Sequence, residues 1–236
     1  MSPPPSVLLF ELEGIVADTR AARRAALDEA LRALDVRLAP QLIATCADGH
    51  DEHDATALAL AASQRLTQRA FDDTDVELAA LRAARAFEAR LAHGVTLVPR
   101  AREALLALAA RVRLGVVTRL SPVVADRVLT LAGLDAVVAS VIARGPQPVG
   151  ARWPTADVYR GAARRLAVAG RVAPEAVVVL SDTPHALDAA REAGLRAVAV
   201  GDGATDATSD ARLASVHALT YDALVDLLAS RGVHDS

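Results

Sequence analysis

At 236 residues, with a formal charge of −3 and a pI near 6.1, the chain can bury a substantial core but lacks the basic face that nucleic acid or an anionic membrane demands. Its single cysteine, Cys46, rules out an intrachain disulfide and a cysteine-based zinc cluster, and points to a reducing, cytoplasmic setting. All 26 basic residues are arginine, which removes phosphate-binding-loop NTPases, Schiff-base enzymes and every other lysine-dependent site.

The opening Met1-Ser2-Pro3-Pro4-Pro5 has neither the basic nor the apolar region of a signal peptide, and no apolar run approaches the ~20 residues of a membrane span. Val7-Leu8-Leu9-Phe10 predicts a buried parallel strand. Glu11-Leu12-Glu13-Gly14 follows, a turn carrying two carboxylates at the C-terminal strand end, where open α/β sheets keep their ligand crevice. From Thr19 to Leu38 the Ala, Leu and Arg rhythm predicts a helix capped by Asp18 or Thr19 and broken by Pro40. A short apolar piece, Gln41 to Gly49, precedes helices from His53 to Ala70 and from about Asp75 to Ala92, the last stopping near Gly94.

Beyond Val95 helices alternate with apolar runs. Strands are expected at Val112 to Thr118, Val137 to Ile142, Ala176 to Leu180 and Arg196 to Val200. Helices are expected at Pro99 to Ala110, Pro122 to Leu131, Pro154 to Ala167, Pro184 to Ala193 and Tyr221 to Ser230, and Gly145 to Gly150 reads as a loop. This alternation predicts an α/β fold, a doubly wound, five-stranded, Rossmann-like parallel sheet built from 1–18 and 95–236, with 19–94 inserted as an all-helical cap.

Four strand ends bring polar residues towards one crevice: Glu11 and Glu13, Thr118, Arg152 with Trp153, and Ser181 with Asp182. With Gly14-Ile15-Val16-Ala17-Asp18-Thr19, Val116-Val117-Thr118, Pro154-Thr155-Ala156-Asp157-Val158-Tyr159 and Asp182-Thr183, this order resembles the haloacid dehalogenase superfamily of phosphatases. The branch is the one with a helical cap after the first motif, such as phosphoglycolate phosphatases and β-phosphoglucomutases. The resemblance implies that Glu11 stands at the position of a nucleophilic Asp and Glu13 at that of an acid/base Asp. Each has one extra methylene, a change in reach that can cost ~100-fold in a near-attack geometry. It implies that the Thr118 hydroxyl and the neighbouring backbone amide hold phosphoryl oxygens; the simpler alternative is an ordinary strand-to-helix turn with Ser121 capping the next helix.

By the same resemblance Trp153 stands in the position of a lysine. Arg152 is the neighbouring cation, but adjacent residues of extended backbone face opposite ways. Asp182 matches a magnesium ligand, whereas Ser181 and Ala186 stand where further acids would, which leaves a set of Glu11, the Glu13 carbonyl and Asp182 that binds Mg²⁺ weakly or not at all. Three altered motifs out of four imply a pseudophosphatase with a binding or structural role. The alternative is a Mg²⁺-dependent phosphomonoester hydrolase working through a Glu11 phosphoenzyme. The partner expected is a small phosphorylated molecule or a protein, and a homo-oligomer stays open. Gly49-His50-Asp51-Glu52-His53-Asp54 has metal-ligand residue types but reads first as an acidic helix start, and Arg20, Arg23 and Arg24 read as a solvated helix face.

Overall fold

The computed structural model describes residues 3–48, 50, 52–144, 153–167, 172–201 and 209–229. The chain divides into two compact units, one formed by Thr19–Val95 and the other by the segments before and after it.

The sheet unit is organised around β1 (Val7–Phe10), whose four residues are all buried, as a strand covered on both faces requires. Parallel to it run β4 (Arg113–Thr118) on one side and β6 (Val177–Ser181) on the other. With β5 (Val138–Ala143), β7 (Arg196–Val200) and β8 (Ala211–Leu213) they form a six-stranded parallel sheet of order β5-β4-β1-β6-β7-β8. The sixth strand is the departure from the expected five. It is a three-residue edge strand in a polar stretch, too short for periodicity to reveal. A two-stranded antiparallel pair, β2 (Ala17–Asp18) with β3 (Thr96–Leu97), closes the chain where it leaves and re-enters this unit.

The crossovers are α5 (Ala101–Ala109), α6 (Pro122–Ala132), α7 (Ala156–Leu166) and α8 (Pro184–Glu192), and α9 (Tyr221–Ala229) ends the described chain. Val7, Leu9, Val177 and Val179 pack with Tyr159, Ala162 and Leu166 of α7 and Leu187 and Ala190 of α8 in one continuous core, which also takes in Trp153. Contact between α7 and β4 is close: a Cβ on Gly115 would overlap the Leu166 side chain.

The helical unit contains α1 (Arg20–Arg32), α2 (Pro40–Ala47), α3 (Glu52–Thr67) and α4 (Asp73–His93). Leu27, Leu31, Ile43, Cys46, Ala59 and Leu60 form its core. Pro40 does not break α1, which already ends at Arg32; it opens α2 at the first helical position, where a missing N–H is harmless. Thr19 precedes α1 without a side-chain capping bond, whereas Asp72 and Asp75 form a reciprocal capping box on α4. The arginines of α1 are not simply solvated. Arg23 is buried, donates to the His50 carbonyl at 2.7 Å and lies over the Phe87 ring, and Arg24 donates to Asp48 at 2.9 Å.

Candidate functional site

The order β4-β1-β6 places the loop after the central strand between the ends of its two neighbours. That loop is a tight turn: the Leu12 carbonyl accepts from the Val16 and Ala17 amides at 2.9 and 2.8 Å, and the Gly14 amide donates to Ala17 at 2.9 Å. Gly14 has φ +76°, and a Cβ there would overlap the Asp182 carboxylate, so only glycine lets Asp182 lie against the turn. Glu11, Glu13, Thr118 and Ser181 are all essentially inaccessible to solvent.

Glu11 is tied to the β6 side. Its Oε2 accepts from the Ser181 hydroxyl and, at 3.1 Å, from the Thr183 hydroxyl, while Oε1 is buried with no hydrogen-bond partner among the described residues. Burial lifts the Glu11 carboxyl from its ordinary 4.5 to about 7; the Arg119 guanidinium opposes the rise, Glu13 adds to it, the Ser181 hydrogen bond opposes it and Asp182 adds to it.

Glu13 is tied to the β4 side. Its Oε2 accepts the Thr118 hydroxyl at 2.7 Å and its Oε1 accepts the Arg119 backbone N–H at 3.0 Å, with the Arg119 Nε 3.9 Å from that same oxygen. The two groups that the resemblance assigns to phosphoryl oxygens, a strand-end hydroxyl and the following amide, therefore hold a carboxylate of the chain itself. The extra methylene of Glu13 supplies the reach. Trp153 lines the same strand end, its indole N–H donating to the Thr118 carbonyl at 3.2 Å, and its side chain belongs to the sheet-unit core.

Ser121 occupies the N-cap position of α6 without a side-chain capping bond. Arg152 lies outside the described residues, as do Gly49 and Asp51 of the acidic cluster. Ala186 is buried in the core and Asp188 is exposed, so neither supplies a further acid at the crevice. Among the described residues no three His, Cys, Asp or Glu side chains are grouped so as to hold a metal ion. Glu11 Oε2 and both Glu13 side-chain oxygens are engaged by hydroxyl and amide donors.

The sequence alone gives three participants no role at the site: Arg119, and Thr183 and Tyr159, which enter only as parts of the family-like motifs. Thr183 follows Asp182 and supplies the second donor to Glu11. Tyr159 on α7 is completely buried with its hydroxyl unpartnered among the described residues, and burial, Glu11 and Glu13 all push the phenol well above its ordinary range. Arg119 immediately follows Thr118, and its side chain is only 6% exposed beside Glu13. In a chain without lysine, an arginine next to a strand-end Thr was the available signal.

Residues 8–200 match the family model described as haloacid dehalogenase-like hydrolase. No curated protein matches the sequence. Among solved structures the chain is similar to a β-phosphoglucomutase from Clostridium difficile at 14% identity and TM-score 0.72, covering 98% of this chain and 100% of that one. It is similar to a predicted phosphoglycolate phosphatase from Haemophilus somnus at 15% identity and TM-score 0.70, with 90% and 95% covered. CbbY from Rhodobacter sphaeroides, solved in complex with phosphate, matches at 25% identity and TM-score 0.64, with 94% and 100% covered.

Proposed function

Because the chain belongs to the haloacid dehalogenase-like hydrolase family, we propose that it is a pseudophosphatase of that family, a hydrolase fold whose phosphoryl cradle is filled by its own Glu13 carboxylate. Phosphoryl transfer is mostly positioning and charge stabilisation, so a cradle whose donors are already satisfied loses the main source of rate. An acid/base group must also present a proton to the leaving oxygen, and both Glu13 oxygens are acceptors here. Glu11, the Glu13 carbonyl and Asp182 would be the residues to hold a magnesium ion, and no step of this reading passes through one. The fold then serves binding, of a small phosphorylated molecule or a protein, in the cytoplasm, in keeping with the single buried cysteine and the absence, among the described residues, of any helix long and apolar enough to cross a membrane.

One observation favours the alternative, a phosphomonoester hydrolase: among the described residues Glu11 Oε1 has no hydrogen-bond partner, which leaves a lone pair for attack. A generic aryl phosphate with Mg²⁺ separates the two readings. Wild type is expected to give no turnover, and Glu11→Asp/Glu13→Asp/Trp153→Lys to give measurable turnover. Wild-type turnover that disappears in Glu11→Gln would overturn the pseudophosphatase.

A further inference from the structure

The site has lost the cation that its resemblance would put at position 153, yet a buried cation is present. The Arg119 side chain is 6% exposed and that of Glu13 2%, and the guanidinium Nε stands 3.9 Å from the oxygen that accepts the Arg119 amide. At that distance the guanidinium acts on Glu13 by charge, not by a direct hydrogen bond. It is also the strongest charge opposing the rise of Glu11, so one guanidinium serves both carboxylates. Burying a charge this deeply is costly unless an opposite charge shares the site. Trp153 offers no substitute, because its only donor is used by the Thr118 carbonyl.

We propose that Arg119 is the anion-holding cation of this site, acting from the end of β4, and that without the Glu13 carboxylate the Thr118 hydroxyl, the Arg119 amide and the Arg119 guanidinium hold an external oxyanion such as inorganic phosphate. This rests on the reading of Glu13 as the internal occupant of the cradle.

The test uses inorganic phosphate as the probe and the full chain, read by calorimetry and by the fluorescence of the single tryptophan, which adjoins the cradle. Wild type should show no binding and Glu13→Ala should bind. Adding Arg119→Gln to Glu13→Ala should weaken binding about 10- to 100-fold, the size of a charge-assisted contact, and adding Arg119→Lys should recover part of the loss. Glu13→Asp, which withdraws the carboxylate by one methylene, serves as a second opening variant if Glu13→Ala does not melt cooperatively. Phosphate binding in the opened variants that is indifferent to Arg119→Gln overturns the role of Arg119 and leaves the occupancy of Glu13 standing. Wild type binding as tightly as Glu13→Ala overturns the occupancy itself. No binding in either folded opening variant overturns the cradle.

Discussion

The indole N–H of Trp153 and the amide of Arg144 both donate to the Thr118 carbonyl, at 3.2 and 2.9 Å, so the residue whose hydroxyl serves Glu13 is also held by its backbone oxygen. Because the carbonyl keeps one partner without the indole, Trp153→Phe should cost only about 0.5 to 1.5 kcal/mol. Trp153→Ala, which empties a core position, should cost roughly 3 to 5 kcal/mol. Urea denaturation of both variants measures the difference; equal losses would mean that the N–H bond, and not the bulk of the ring, is what the position requires.

Glu11 makes stability depend on pH. A carboxyl at about 7 in the fold and near 4.5 when unfolded binds its proton more tightly when folded, so stability is greatest at low pH and falls as pH rises from 4.5 through 7. The expected loss is on the order of a few kcal/mol. Glu11→Gln removes this slope, so its stability advantage over wild type should widen between pH ~5 and ~8. A constant gap across that range would show that Glu11 does not titrate there. Ser181→Ala removes a hydrogen bond that favours the ionised form and should extend the decline to higher pH than in wild type.

Gly14 and Asp182 form a steric pair. Alanine at Gly14 must adopt a left-handed backbone at φ +76° and must displace the Asp182 carboxylate. Together these should destabilise the fold by roughly 2 to 4 kcal/mol. In a double-mutant cycle, Asp182→Ala should recover the steric part and leave the backbone part, about 1 kcal/mol or more. Strict additivity would mean that the loop moves aside and that the close approach is unimportant.

Tyr159→Phe should be neutral or stabilising by up to about 1 kcal/mol, because the hydroxyl it removes is buried without a partner among the described residues. A clear loss of stability on thermal or urea melting would show that the hydroxyl has an occupant to bind, such as a trapped water bridging to the carboxylates.

The sheet was legible because its strands are apolar runs punctuated by Gly and Pro, and β7 spans the expected Arg196–Val200. β8 was not, since a three-residue edge strand is defined by its partner and not by its own pattern. The two carboxylates could be found from Glu11 and Glu13 alone. Their directions could not, because a glutamate two residues further along a turn can face either neighbouring strand, and only the register of β1 against β4 and β6 decides. Arg119 was marked in the sequence only by its place after the strand-end Thr118; among 26 arginines it is burial beside Glu13 that singles it out.

The strand order carries a mechanical consequence. A central strand opens late in unfolding, but the rim where its loop emerges is normally the part that loosens to admit a ligand. Here Glu11 fastens that rim to β6 and Glu13 fastens it to β4. Three adjacent strands are thereby cross-linked at their C-terminal ends through the side chains of a single loop.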